Sequence, residues 1–204
     1  MPGLIAKKLE MTRVIKGYKF IPVTLLEIPV LKVVAKKTIE KDGYSAFSVG
    51  VVDQKNKKEL TLKDGKTSLN LNCFSEIREF FCEECDLEKY NVGDELGLNL
   101  LEGVESVVIE GFSKGKGFAG AMKRHNFSGG PGRVGSKFHR ALGSIGNRKP
   151  RRTHKGKKMH GHMGNEKVTI KKVPVELVNK ELNVVGVRGG VPGGRNSSVK
   201  IILN

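Results

Sequence analysis

The sequence predicts a mainly β fold: one barrel with a small helical part, interrupted by a long irregular basic extension inserted between barrel strands. Three observations support this. Short runs rich in Val, Ile, Leu and Thr recur toward both ends of the chain, bounded by Gly, Asn, Asp or Lys turns. A central segment, 111–172, breaks the pattern and holds 13 of the 26 glycines. Charge divides the chain in the same way. The central segment has 17 Lys and Arg against one acid, Glu166, whereas the flanks hold 20 bases and 20 acids.

Taken in order, the predicted strands are 20–28, 31–36, 44–52, 104–109, 168–178, 182–187 and 199–203, all short and rich in β-branched residues. Regular short strands flanking one insertion point to a single barrel. In 168–178, Val173, Val175 and Leu177 alternate with Pro174 and Glu176, and Asn179-Lys-Glu181 then turns the chain into the next apolar run. That is the pattern of a hairpin with one wet face. Phe74, Ile77, Phe80 and Phe81 recur at helical spacing behind Ser75 as a candidate N-cap, which predicts a short amphipathic helix near 75–85. The expected organisation is therefore 1–110 as the first part of the barrel domain, 111–167 as the extension, and 168–204 as the final barrel strands.

Composition excludes several classes of function. The chain has 204 residues, a formal charge of +16 and an isoelectric point near 9.8, which places it among nucleic-acid binders. Its most apolar stretch, 21–35, is broken by Glu27 and Lys32 and is too short to span a bilayer. The first twenty residues lack a continuous apolar run, so the expected location is the cytoplasm, or the chain is the mature protein of an organelle. Cys73, Cys82 and Cys85 are an odd set and are expected to be reduced. Cys82-Glu-Glu-Cys85 has the spacing of half a zinc or redox site, but no second ligand pair lies near it in sequence; no metal and no cofactor are expected.

Segment 111–172 has only 15 apolar residues among 62, too few to offset the entropy of ordering it, so it should order only against a partner. With about 30 residues each way it could extend at most on the order of 100 Å, and about half that when bent. Its bases are clustered between glycines. They are Lys114 and Lys116; Lys123, Arg124 and His125; Arg133, Lys137, His139 and Arg140; Arg148 and Lys149; Arg151 and Arg152; and Lys155, Lys157 and Lys158. Such groups neutralise phosphates, and glycines let backbone N–H groups come close to a folded RNA. Phe112, Phe118, Phe127 and Phe138 lie among them, either stacking on unpaired bases or bracing their own loops. Glycines together with Pro131 and Pro150 prevent any helix of three turns, which disfavours major-groove reading of DNA and favours the crevices of folded RNA.

Enzymatic readings fare worse. Gly115-Lys-Gly-Phe-Ala-Gly120 matches a dinucleotide fingerprint, yet no Asp or Glu occurs between Glu110 and Glu166 to hold a ribose. A Walker loop needs Ser or Thr after the lysine, and Lys116 is followed by Gly117. Two-metal nuclease chemistry needs several carboxylates near the basic surface, and Glu166 stands alone. A structural RNA-binding protein, a free RNA chaperone and, more remotely, a nucleotide-binding enzyme remain as alternatives.

The run GFSKGKGFAGAMKRHNFSGG over 111–130 resembles the signature of the large ribosomal subunit protein L-three family, of bacterial and organellar type. Gly135-Ser-Lys-Phe-His-Arg140, Gly143-Ser-Ile-Gly146, Lys155-Gly-Lys-Lys-Met159 and Gly161-His-Met-Gly-Asn165 continue it in order, and the resemblance extends to 3–15 and 187–193. It implies a translation-protein-type barrel, a non-enzymatic role in the large subunit beside other ribosomal proteins, and an extension threading ribosomal RNA. It also implies direct binding to the large-subunit RNA near its 3′ end, early assembly, and a tip near the peptidyl-transferase centre formed by Gly143, Ser144, Ile145, Gly146, Asn147 and Arg148. The chain departs from the family pattern at Val108, Leu142 and Arg151-Arg152. It also has Asn147-Arg148-Lys149 with no glutamine at the tip, so a glutamine modification known in some members is not carried over.

Overall fold

The computed structural model describes residues 3–53, 73–83, 87, 89–149 and 152–203. The chain separates into two compact units, residues 1–112 together with 167–204, and residues 113–166.

The first unit is built from antiparallel sheets. β1 (Gly3–Lys16), β2 (Lys19–Glu27), β7 (Ser106–Phe112), β10 (Lys167–Asn179), β11 (Val184–Arg188) and β12 (Ser198–Leu203) close on themselves in the order β1-β12-β7-β10-β11-β2. The fold class is mainly β, as the alternation of the sequence predicts. Period-two burial drives the closure: Val107 and Ile109 of β7 and Val199, Ile201 and Leu203 of β12 are buried, with Ile109 opposite Ile201. Gly111 sits opposite Val199, and a Cβ added there would lie 3.1 Å from Val199 Cγ1 and 3.4 Å from Pro192 Cβ. A larger residue at that site would require the Val199 side chain and Pro192 to shift by a few tenths of an ångström.

In the β10–β11 hairpin, Asn179 Oδ1 accepts hydrogen bonds from the N–H groups of Glu181 (3.0 Å) and Leu182 (3.2 Å). The side chain thus acts as a surrogate carbonyl for the turn. Earlier in β10 the register against β7 shifts between Ile170 and Val173, where Lys172 adopts φ 54°. This bulge re-aims the strand before Pro174, which has no N–H to offer the ladder.

A four-stranded sheet in the order β5-β4-β3-β6 is formed by β3 (Leu31–Lys37), β4 (Ala46–Val52), β5 (Phe74–Phe81) and the short β6 (Glu95–Leu96), with the helical turn α1 (Ile39–Asp42) joining β3 to β4. It shares a core with the barrel, in which Leu4, Phe47, Val49, Phe80, Leu101 and Ile201 are all buried. Phe47 stacks on Phe80 at a centroid distance of 5.9 Å.

Three expectations are corrected here. Strands 31–36 and 44–52 do not join the barrel: Pro29 follows β2, and the chain leaves the ring for a second sheet. The region predicted as a helix, 75–85, is strand β5 over Phe74–Phe81, and residues 84–85 lie outside the described residues. Phe74, Ile77 and Phe81 share a helical face by spacing, but pairing with β4 from Ala46↔Phe81 to Val52↔Phe74 decides for the strand, and a bulge at Val51/Val52 packs Phe74 with Val34, Val52 and Cys73 while Phe80 joins the main core. Ser75 caps nothing; its hydroxyl donates to the Val51 carbonyl at 3.4 Å. Finally, β1 was not foreseen. Only its first four residues are buried, so most of its length lacks the apolar alternation that marks a strand.

Candidate nucleic-acid interface

Residues 113–166 leave and return as a self-paired ladder. Ser113 N–H donates to Glu166 O (2.9 Å), Asn165 N–H to Ser113 O (3.2 Å), Lys116 N–H to Met163 O (2.8 Å) and Met163 N–H to Gly117 O (2.9 Å). β8 (Phe118–Ala119) and β9 (Gly161–His162) extend it by two pairs, Phe118↔His162 and Ala119↔Gly161. Backbone pairing thus joins 113–119 to 161–166 where apolar burial is scant: the buried residues of 113–166, among those described, are Ala119 and Ala121.

Glycine is a geometric requirement at one rung. Gly164 has φ +81°, and an added Cβ would come within 2.1 Å of the Lys114 carbonyl oxygen. A side chain there would push the two arms apart.

Beyond the ladder, a short helix α2 (Ala121–His125) ends at Asn126 in the left-handed conformation, φ 59°. It turns Arg124 and His125 back to the returning arm, where Arg124 Nη1 donates to Met159 O at 2.9 Å and His125 Nε2 lies 3.0 Å from the same oxygen. A carbonyl only accepts, so this contact assigns the proton to Nε2. Both side chains are half-buried, and part of their hydrogen bonding braces the loop.

Lys114, Lys116, Arg124, His125 and His162 line one cleft of about 590 Å³, with Glu166 its only carboxylate. The structure brings four of the predicted residues together here. His162 is a fifth member that the residue-by-residue prediction missed, although it sits in the Gly161-His-Met-Gly-Asn165 motif. The arrangement suits an anion: two ammonium groups and a guanidinium, with imidazoles between, around a polar hollow.

The remaining predicted bases are spread over the rest of the unit. Lys123, Arg133, Lys137, His139, Arg140, Arg148, Lys149, Arg152, Lys155, Lys157 and Lys158 are all exposed, and Arg151 lies outside the described residues. His139 is held in place, with Nδ1 2.8 Å from Pro131 O and its own carbonyl accepting from Gly130 N–H at 3.1 Å. Gly143 has φ +89°, Ser144 Oγ donates to Gly146 O at 3.2 Å, and Ile145, Asn147 and Arg148 face solvent. Among the described residues, no Lys or Arg of 113–166 pairs with a carboxylate. Each ion pair found lies in the other unit.

The aromatics divide between the two roles considered for them. Phe118 and His160 meet at 5.4 Å between centroids, and His125 and Phe127 at 6.1 Å, so these rings partly brace their loops. Phe118 nonetheless keeps about three quarters of its surface exposed. The Gly115–Gly120 fingerprint is not a phosphate cradle. Lys116 N–H is spent on Met163, and the helix that follows is five residues long.

Comparison with known proteins is decisive. The family model described as ribosomal protein L3 matches residues 99–185, a span covering β7, all of 113–166 and all of β10. Over 201 residues the chain is 45% identical to the large ribosomal subunit protein uL3 of Borrelia hermsii (strain HS1 / DAH), covering 98% of this chain and 95% of the relative. The chain belongs to the ribosomal protein L3 family. Proteins of the same name from Fervidobacterium nodosum and Thermosipho melanesiensis are each 43% identical, over 204 and 202 residues, with 98% of this chain and 97% of each relative covered. The L3 family is structural and not enzymatic, in keeping with an interface rich in bases and poor in carboxylates. None of the helices among the described residues of this L3-family chain is long and apolar enough to cross a membrane.

Proposed function

We propose that this chain is a structural constituent of the large ribosomal subunit that binds large-subunit ribosomal RNA directly through residues 111–167. The observation that supports this most is the excess of bases in 113–166, with no described carboxylate paired to them, in a chain whose relatives are named large ribosomal subunit proteins. Unpaired like charge on a segment with almost no core is costly unless a polyanion answers it.

On this reading the barrel and its companion sheet form a nearly neutral domain, 1–110 and 168–204, and the inserted segment fills a crevice in RNA. Lys114 and Lys116, with Arg124, His125 and His162, hold a phosphate at the base of the extension. Lys123, Arg133, Lys137, His139, Arg140, Lys155, Lys157 and Lys158 neutralise backbone along it. Gly143, Ser144, Ile145, Gly146, Asn147 and Arg148, followed by Lys149, Arg151 and Arg152, form the end nearest the peptidyl-transferase centre. The RNA site lies near the 3′ end of the large-subunit RNA and is occupied early in assembly, in cytoplasmic ribosomes and beside other large-subunit proteins.

Sedimentation of a cell extract tests the first part. The chain is expected in large-subunit and whole-ribosome fractions and to remain there after a high-salt wash. Recovery mainly in the unassembled pool would instead identify a free RNA chaperone.

A further inference from the structure

The barrel also carries a protruding ribbon. β2 pairs with β11 only from Val23 to Glu27, and Gly189 N–H donates to Pro22 O at 2.9 Å, so the outer rungs of the β1–β2 hairpin, Val14↔Ile21 through Lys16↔Lys19, pair with no further strand among the described residues. The ribbon ends in a two-residue turn, Gly17-Tyr18, in which Gly17 takes φ +63°. A two-stranded ribbon has little stability of its own in water. This one also leaves its large side chains uncovered: Ile15 is 67% exposed, Phe20 62%, and Tyr18 completely.

Charge indicates what covers it. Between Glu10 and Glu27 there is no acid, and the bases are Arg13, Lys16 and Lys19. Glu10 is matched by Arg195 at 3.5 Å, and Lys16 reaches Glu176 at 3.3 Å. The Arg13 guanidinium lies over the Phe20 ring, 4.9 Å from its centroid, so a flat cation and an aromatic face are stacked together on one side of the ribbon. Lysine is depleted from the cores of protein interfaces, whereas exposed rings flanked by bases are how proteins hold unpaired nucleotides.

We infer that the tip of the β1–β2 hairpin, with Tyr18 and Phe20 as stacking platforms and Arg13 and Lys19 as phosphate contacts, is a second RNA-binding site that grips single-stranded nucleotides of the RNA bound by the extension. The inference rests on the proposed RNA-binding function and adds a contact outside the basic segment. It makes the nearly neutral domain a participant in binding.

The chain contains no tryptophan, so Tyr18→Trp creates a single fluorescent reporter at the turn. Titrating the full-length variant with protein-free large-subunit RNA should quench the emission over the same concentration range in which a mobility shift reports binding. Tyr18→Ser with Phe20→Ser should weaken RNA binding about tenfold while leaving the β circular-dichroism spectrum unchanged. An RNA mobility shift with unaltered Trp emission overturns the inference and leaves the role of the extension intact. No mobility shift by the parent chain overturns both. A blue shift that grows with protein concentration alone would reveal a second copy on the ribbon, and one produced by the large-subunit protein fraction without RNA would reveal a protein partner. Either overturns it.

Discussion

Gly164 shows how a single atom governs the interface. Its φ of +81° and the 2.1 Å approach that a Cβ would make to Lys114 O tie the paired base of residues 113–166 to the absence of a side chain. Gly164→Ala should separate the arms, displace Lys114 and Lys116, and weaken affinity for large-subunit RNA by at least about tenfold, corresponding to about 1.4 kcal/mol. The thermal midpoint of the β domain should stay within about 2 °C, because Gly164 belongs to the other unit and contributes nothing to that domain's core. A variant binding RNA like the parent would remove the ladder from the account. A second residue-scale case is Glu79. Its carboxylate receives Lys37 Nζ at 2.7 Å, and this hydrogen bond holds the carboxyl below its ordinary range. A depressed acid stabilises the fold above the ordinary carboxylate range, and that contribution is lost as pH falls from about 5 toward 3. Because Glu79 is substantially exposed, the effect should be small. Urea midpoints should therefore place Glu79→Gln slightly below the parent at pH 7, with the gap closing at pH 3.

At the scale of elements, β2, β3, β4, β7, β10, β11 and β12 were legible because each combines β-branched residues with an alternating or buried run between turn residues. β5 was not. Short apolar runs satisfy two periods at once, and only the exposed backbone edge of β4 selects between them. β1 was missed for the opposite reason: most of its residues face solvent, and its strand character comes from pairing with β12 and β2. The candidate interface followed the same division. Its bases could be read from composition, but His162 joined Lys114, Lys116, Arg124 and His125 only through the β8–β9 pairing and the Arg124 contact to Met159. The end of the extension is a separable element on the proposed function. Deleting 143–153 should leave the β domain folded and RNA binding within about threefold, because most of the bases lie elsewhere in the extension, while peptide transfer by ribosomes carrying the variant should fall sharply. Complete loss of RNA binding on that deletion would make the loop an anchor instead.

For the molecule as a whole, the governing fact is that its net charge of +16 equals the net charge of one segment, 111–172. If about ten phosphates are neutralised, the logarithm of the RNA affinity should fall with the logarithm of salt concentration at a slope of about −7 to −9. A slope near −2 would mean that burial or stacking, and not counter-ion release, supplies the affinity. The sequence by itself determined the β class, the position of the basic segment and the scarcity of carboxylates that separates it from an RNA enzyme. These depend on residue type, chain order and local period, all of which act over a few neighbours. Tertiary structure alone decided that strands 31–36 and 44–52 leave the barrel, that 74–81 is a strand, that residues 113 and 166 meet, and that a ribbon with bare aromatics projects beyond the ring. Each of these depends on which distant backbone supplies the hydrogen-bond partner, a choice made only when the whole chain satisfies its N–H and C=O groups together.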